Sequence, residues 1–218
     1  MNTRLTYADF LAWTLCVRIE GPHDKDAVLV TDPYSSDSGL RFPRTLSPDS
    51  VALTHQDEER FPKDVFQNTP FTINTPGEYE VNGFFAYAMP LKKEGDEYPY
   101  HLMYRFEVEG MSIGFIGQLN RALTDDEVAA LGNIDILLLP VGGGDRMTAK
   151  QAVDTISRVE PRMVVPLAYH VDGLKEELGS ADAFCKELVC QRNDANKLKI
   201  TRKDLPSEDL VVTVLERA

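Results

Sequence analysis

A near-continuous apolar run, Ile134 to Val141, constrains the fold more than any other stretch of this sequence. A strand that is apolar at successive positions has both faces buried, which is typical of a covered parallel sheet. The run is followed by Gly142-Gly143-Gly144 and then by a predicted helix at 148–159, where Thr148 and Gln151 have the spacing of a capping box. The order of strand, turn and helix therefore predicts an α/β fold.

The two halves of the chain differ in the type of element that they predict. The first half reads as short strands, with Ala12 to Glu20 taken as one strand, whereas the second half alternates strands with helices. A helix is predicted at 124–132, with Thr124 and Glu127 as a second capping box, and another over most of Gly173 to Val189. These patterns favour a layered α/β sandwich, and 218 residues suit one domain, 1–218.

Net charge, the length of the apolar runs and the cysteine spacing limit the partners and the cellular compartment that we expect. The net charge is −12, a field that repels phosphate backbones, so we expect no nucleic-acid partner, whereas a small anionic ligand or a protein partner stays open. Since no apolar run reaches the ~20 residues of a membrane span, we expect no membrane partner. Cys16, Cys185 and Cys190 form no C-x-x-C pair and no disulfide-scaffold pattern, which favours a reduced, cytoplasmic protein.

Six phrases recur in the order and spacing of a known family. They are LVTDP (29–33), VALTH (51–55), TPGEYE (75–80), IGQL (116–119), DILLLPVGG (135–143) and VVPLAY (164–169). This series resembles the metallo-β-lactamase-fold hydrolases, in particular the branch of ascorbate-phosphate lactonase-like proteins. The resemblance implies an α/β fold in the form of a four-layer αββα sandwich, with a metal site at one edge between the sheets.

The family's metal motif, H-x-H-x-D-H after a strand, is altered in this sequence. His55 matches the first histidine, but Asp57, Glu59 and Arg60 stand at the other three positions. Gln118 stands in the family's G-D phrase, and Ala168 takes the histidine position of its P-x-H-Y phrase. Alanine cannot coordinate and an arginine would place a permanent cation at the site. The resemblance thus implies a degenerate motif, in which His55 and Asp57 are vestigial candidates for metal binding.

Three functions follow as alternatives. The first is a non-catalytic or ligand-binding member that has lost the standard dinuclear metal site and needs no cofactor. The second is a metal-dependent hydrolase of a lactone, ester or phosphoester, with one manganese, zinc or magnesium ion held by a rearranged set of His55, Asp57 and Glu59. The third is a metal-free enzyme that uses Asp57 or Glu59 as a general base.

The candidate ligand-binding cleft contains residues that follow the predicted strands. Gly143 and Asp145 belong to a turn whose backbone N–H groups could face an anion, although such a turn also serves simply to connect a strand to a helix. His170 lies two residues beyond Ala168 and is a shifted ligand only if a bulge intervenes; an exposed loop position is the alternative. Together with His55 and Gln118, these residues define the predicted cleft.

Overall fold

The computed structural model describes residues 8–21, 27–42, 46–55, 66, 68–92, 101–193 and 197–215. Its strands and helices, in chain order, are β1 (Ala8–Trp13), β2 (Cys16–Glu20), β3 (Val28–Thr31), β4 (Ser50–Ala52), β5 (Phe71–Ile73), β6 (Gly77–Val81), β7 (Phe84–Leu91), β8 (His101–Val108), β9 (Met111–Phe115), α1 (Asp125–Leu131), β10 (Ile136–Pro140), α2 (Ala149–Val159), β11 (Met163–Leu167), α3 (Ala181–Phe184), β12 (Cys190–Asn193), β13 (Lys197–Ile200) and β14 (Val211–Leu215). A 3₁₀ turn at Arg202–Asp204 precedes β14.

The described strands form two mixed sheets. The first has the order β13-β1-β2-β3-β4-β5, and the second has the order β12-β14-β11-β10-β9-β8-β7-β6. In the second sheet β9, β10, β11, β14 and β12 run parallel, while β6 to β9 are antiparallel neighbours. This is the α/β sandwich that the sequence predicts.

Successive side chains of a strand point to opposite faces of the sheet, and this alternation builds the layers of the core. On β10, Ile136 and Leu138 belong to the apolar core between the sheets, whereas Leu137 and Leu139 pack under the helices. All five residues of β10 are buried, so the apolar run reflects burial on both faces, as predicted. The outer face of the first sheet is covered, in the described residues, by apolar side chains of the connecting segments: Tyr34, Leu40, Phe42, Leu46, Phe66 and Leu174.

Both predicted capping boxes are present. The Thr124 side chain accepts from the Glu127 N–H at the start of α1, and Thr148 does the same for the Gln151 N–H at the start of α2. In each case the side chain at the third helical position also bonds to the backbone of the capping threonine. Reciprocal satisfaction of these N–H groups explains why both helices begin where the sequence places them.

Two predicted elements are wrong. Ala12 to Glu20 is not one strand: β1 and β2 form a hairpin with Trp13 opposite Cys16 and a two-residue turn at Thr14-Leu15, where Thr14 has a φ of +56°. The stretch from Gly173 to Val189 is not largely helical, since α3 covers only Ala181–Phe184. The strand β12, which follows α3, had no counterpart in the sequence patterns.

The cysteines also correct an expectation. Cys185 and Cys190 form a disulfide between the end of α3 and the first residue of β12, and Cys16 is the free, buried cysteine of the described residues. The spacing of these cysteines did not predict a bond, and its presence removes the cysteine argument for a reducing compartment. A cytoplasmic location therefore stays a prediction. In the described part of the chain, no helix has the length and apolar character needed to cross a membrane.

Polar groups connect the two sheets at the end of β4. The Tyr104 hydroxyl, on β8 of the second sheet, lies 2.5 Å from the Leu53 carbonyl oxygen and 2.9 Å from that of Ile73, both in the first sheet. Next to them, the Leu102 N–H donates to the Thr54 carbonyl oxygen at 2.9 Å. Tyr104 is fully buried, and its single hydroxyl proton is shared between these carbonyl oxygens; that of Ile73 also accepts the Leu53 N–H at 2.9 Å, so the Leu53 carbonyl depends most on the hydroxyl.

Replacing Tyr104 by phenylalanine should lower the free energy of unfolding by about 1–3 kcal/mol, because the buried Leu53 carbonyl oxygen loses its donor. Urea unfolding of the two proteins measures the difference. The matched control is Tyr87→Phe, in which a half-buried ring under the Arg105 guanidinium keeps its aromatic contact and little change is expected. Equal stability of Tyr104→Phe and the wild type would show that the hydroxyl does not connect the sheets.

The same hydroxyl should give the protein a pH dependence at alkaline pH. Burial, followed by the charge of Asp32 and by Tyr79, raises the pKa of Tyr104 well above its usual value. In the unfolded chain tyrosine ionises near pH ~10, so the folded state loses stability as pH rises above that value, by at most about 1.4 kcal/mol per pH unit. Urea unfolding from neutral to alkaline pH should show this extra slope in the wild type and not in Tyr104→Phe; parallel curves would contradict it.

Candidate functional site

The candidate site lies where five strands end at one edge of the sandwich. Asp32 follows β3, His55 lies three residues after β4, Gln118 three residues after β9, Gly142 two residues after β10, and Ala168 directly after β11. Backbone hydrogen bonds join the two sheets here: the Ala168 N–H donates to the Thr14 carbonyl oxygen, and that of Leu102 to Thr54. The strand ends of both sheets therefore face a common region, as the resemblance implied.

Asp32 holds the start of the segment that carries His55. Its carboxylate accepts the Thr54 N–H at 2.7 Å and the Thr54 hydroxyl at 2.6 Å, and its backbone has a φ of +30°. Burial raises the pKa of Asp32 above its usual value, while His55, the two Thr54 hydrogen bonds and the Arg146 guanidinium act in the opposite direction. A buried carboxyl that faces the His55 imidazole and the charge of Arg146 is thus a central polar group of the site.

His55 is buried beside this carboxyl. Its side chain is 9% exposed, and its Nδ1 atom is buried with no hydrogen-bond partner among the described residues. A buried ring nitrogen without a partner costs free energy unless a ligand or water satisfies it. Cys16 lies near the same carboxylate, and burial, followed by the charge of Asp32, raises the pKa of its thiol, which disfavours a nucleophilic thiolate.

Gln118 is brought close to His55 by the packing of its neighbour. A Cβ atom at Gly117 would collide with the Thr54 side chain, and the φ of Gly117 is +67°. Only glycine fits this position, so the chain after β9 lies directly against the residue that precedes His55. Gln118 itself is half-buried, at the position where the family has a metal-bridging aspartate.

The glycine turn after β10 packs against the end of β11. A Cβ atom at Gly142 would collide with the Ala168 carbonyl oxygen, whereas Gly143 has open space on that side. The Gly143 N–H donates to the Met147 carbonyl oxygen at 2.9 Å, so this donor is already used within the turn and is not free to face an anion. Asp145 is exposed.

Arg146 supplies a cation to the site. Its side chain is 11% exposed and forms an ion pair with Glu176, and its charge acts on Asp32. A guanidinium stays protonated at any pH that the fold tolerates. A fixed positive charge therefore acts on the buried carboxyl of Asp32.

Ala168 keeps an unusual backbone at the end of β11. Its φ is +49°, a left-handed conformation that costs an alanine about 1–2 kcal/mol, and its side chain is 2% exposed. The N–H of the exposed His170 donates to the Gly179 carbonyl oxygen. No hydrogen bond or ion pair in the described residues joins the imidazole of His170 to His55.

Several predicted residues cannot be placed. Asp57, Glu59 and Arg60 lie outside the described residues. Within the part of the chain that is described, no three His, Cys, Asp or Glu side chains are grouped closely enough to hold a metal ion. At the positions that the resemblance assigns to metal ligands, the described residues are His55, the weakly coordinating amide Gln118 and the non-coordinating Ala168.

Sequence reasoning missed Asp32, Thr54 and Arg146 as members of the site. Asp32 and Thr54 entered only as letters of the phrases LVTDP and VALTH, although an acid directly after a buried strand and a Thr-His pair after its neighbour are a usable signal. The parallel pairing of Thr31 with Ala52 in β3 and β4 places these two strand ends side by side. Arg146 had no distinguishing pattern beyond its position after the glycine turn.

Comparison with known proteins agrees with this architecture. The sequence profile of the family described as the β-lactamase superfamily domain matches residues 12–168. A UPF0173 protein of Pyrococcus abyssi is 39% identical over 61 residues, which are 28% of this chain. The aligned segment covers only 27% of that protein's own length.

Solved structures share the fold over most of the chain. A proposed Zn-dependent hydrolase of the metallo-β-lactamase superfamily from Thermotoga maritima is 25% identical, with a TM-score of 0.77, and the match covers 95% of this chain and all (100%) of that one. Igni18, a metallo-hydrolase from Ignicoccus hospitalis, is 15% identical with a TM-score of 0.61, and the match covers 84% of this chain and 91% of that chain. A proposed metal-dependent hydrolase from Parabacteroides distasonis is 14% identical with a TM-score of 0.62, covering 98% of this chain and 100% of that chain.

Replacing Asp32 by alanine should lower the free energy of unfolding by about 1–3 kcal/mol, because the buried N–H and hydroxyl of Thr54 both lose their acceptor. Replacing it by asparagine should cost less, since an amide oxygen can accept the N–H while the NH₂ group donates to the hydroxyl. Urea unfolding compares the variants, and Asp145→Ala, at an exposed position of the same edge, is the control. If Asp32→Ala and Asp145→Ala were equally stable, the proposed support of the His55 segment would be wrong.

Proposed function

This chain belongs to the metallo-β-lactamase superfamily, and from that premise we propose that it is a ligand-binding member in which the standard two-metal site is not formed. In this proposal the chain, 1–218, acts as one domain. In the same proposal, a cleft around His55, Gln118 and the turn at Gly143 binds a small anionic ligand without hydrolysing it.

The observation that carries the proposal is the geometry at Ala168. The backbone after β11 adopts the left-handed conformation, fixed by the hydrogen bond to Thr14 and by the close packing of Gly142. The side chain at this position is a buried methyl group, which has no atom able to bind a metal. The loop thus has a defined shape at the position where the family has a histidine, and its ligand atom is absent.

The charges around Asp32 support the same proposal. Gln118, a neutral and weak ligand, replaces the acid that bridges two metals in the family. Arg146, held by Glu176, adds a permanent cation beside Asp32. A divalent ion placed next to this guanidinium would be repelled.

A metal-dependent hydrolase with a rearranged single-metal site is the second candidate. The buried Nδ1 atom of His55, which has no partner among the described residues, favours it, as do the names of the similar structures. His55 would be one ligand, and the candidates Asp57 and Glu59 would provide others. A divalent ion there would activate water for attack on a lactone, ester or phosphoester; the described residues would contribute by holding His55 through Asp32 and Thr54.

Metal analysis of the purified full-length chain distinguishes the two candidates. We expect no stoichiometric metal by mass spectrometry, and no change in melting temperature with manganese, zinc, magnesium or EDTA. An ion that bound the folded state at a concentration 100 times its Kd would stabilise it by about 2.7 kcal/mol, which is several degrees for a protein of this size.

A variant that regains side chains able to bind a metal at positions 118 and 168 tests the proposal from the other side. The double substitution Gln118→Asp and Ala168→His should bind zinc or manganese more tightly than Ala168→Gly, which relieves the backbone strain without adding a ligand. Stoichiometric metal in the wild type that His55→Ala removes would overturn the ligand-binding proposal in favour of the single-metal hydrolase.

A further inference from the structure

A second cleft lies at the opposite edge of the eight-stranded sheet. It has a volume of about 680 Å³ and is lined by the beginning of β9, the segment that enters β10, and the connection from α2 to β11. Because β9, β10 and β11 run parallel, their starts and their ends lie at opposite edges. Gly142 in the candidate site lies seven positions after Asp135 in this cleft, which is roughly 20 Å along an extended strand.

Three arginines from separate elements meet in this cleft. Arg105 belongs to β8, Arg162 directly precedes β11, and Arg202 begins the 3₁₀ turn before β14. Each donates to a backbone carbonyl oxygen: Arg105 to Leu131 at 3.4 Å, Arg162 to Pro206 at 2.7 Å and Arg202 to Gly110 at 2.7 Å. A guanidinium has five N–H donors, so each is fixed in position and keeps further donors for the cleft.

Two glycines allow the arginines to approach the backbone. A Cβ atom at Gly132 would lie 3.0 Å from Nη1 of Arg105, and one at Gly110 would lie 3.4 Å from Nη1 of Arg202. Both glycines also have a φ of +72°, which favours glycine at each position. The guanidinium groups are thus held by the turns of the fold, which lowers the entropy lost when a ligand binds.

Three carboxylates, those of Glu107, Asp135 and Glu160, also line the cleft, and the ion pairs of the first two with the arginines are long. Arg105 Nε is 3.4 Å from Glu107 Oε1, and Arg162 Nη1 is 3.5 Å from Asp135 Oδ1. These separations exceed the ~2.7–2.9 Å of a charge-assisted hydrogen bond. The Asp135 carboxylate also accepts the Ser112 N–H at 3.0 Å, so part of its capacity is used by the backbone.

We propose that this second cleft binds a small phosphorylated molecule, whose phosphate group is held among Arg105, Arg162 and Arg202. A phosphate offers several oxygens that match the forked donors of arginine, and more than two guanidinium groups exceed what one carboxylate accepts. The volume lies within the range of ~300–1,000 Å³ that is typical of small-molecule sites. This proposal is independent of the function assigned to the His55 cleft.

Isothermal titration of the full-length chain with inorganic phosphate and with pyrophosphate tests this proposal. EDTA is kept in the buffer so that a metal–phosphate complex cannot contribute. Binding of at least one of these probes is expected, and Arg202→Gln should weaken it by about tenfold, the effect of losing one charge-assisted contact. Arg158→Gln, which removes an exposed arginine of α2 outside the cleft, should leave the affinity unchanged.

A substitution that increases the affinity for phosphate would show that the arginines bind the anion, because a purely structural role of the arginines predicts no such increase. Glu107→Gln removes a carboxylate that competes for Arg105, so it should tighten binding several-fold. Asp125→Asn makes the same change in net charge at an exposed position of α1 and is the matched control. This comparison also decides the matter if Arg202→Gln fails to fold.

Four results would overturn the second cleft as a phosphate site. They are no heat with either probe, equal affinities of Arg202→Gln and Arg158→Gln in folded proteins, equal effects of Glu107→Gln and Asp125→Asn, and loss of binding in His55→Ala. The last result would place the anion at the other edge of the sheet. Retained binding in His55→Ala supports two separate sites.

Discussion

The polar junction between the sheets at the end of β4 is the constraint on which the rest of the structure depends. Two apolar sheet faces can pack in many relative positions, because dispersion and the hydrophobic effect have little directional preference. The contacts of Tyr104 with Leu53 and Ile73, and of Leu102 with Thr54, are directional and buried. A sliding of one sheet would leave these groups unsatisfied, and that cost fixes the position of β4 relative to β8.

The same junction determines where the chemistry of the molecule lies. Thr54 accepts from Leu102 through its carbonyl oxygen and donates to Asp32 through its N–H and hydroxyl. His55 follows directly, so its position depends on the contacts between the sheets and on the side chain of Asp32. The absence of a side chain at Gly117 then brings the end of β9 against Thr54. His55 is therefore positioned by the contacts of its neighbours Thr54 and Asp32.

The sequence was informative where local rules decide the structure. The strand β10 and the starts of α1 and α2 follow from burial on both faces and from capping boxes, which involve neighbouring residues. The hairpin at Thr14-Leu15 was missed because it has no glycine or proline and its flanks are continuously apolar. The stretch before the disulfide was taken as a helix because its composition suits one, whereas Gly173 and Gly179 take part in long-range contacts. At the site, the substitutions Gln118 and Ala168 were readable, but Asp32 and Arg146 required the pairing of distant strands.

Ala168 shows how contacts of the backbone, rather than of the side chain, determine the shape of the segment after β11. Its left-handed backbone is unfavourable for alanine by about 1–2 kcal/mol, yet the hydrogen bond to Thr14 and the packing of Gly142 maintain it. These contacts belong to the junction of β11 with the first sheet, so a change of side chain at 168 does not remove them. The conformation thus survives because the sandwich needs it, whatever atom the side chain presents. For the same reason, a fold-level likeness to metallo-hydrolases argues for the shape of this cleft, and the identity of the side chains must argue for its chemistry.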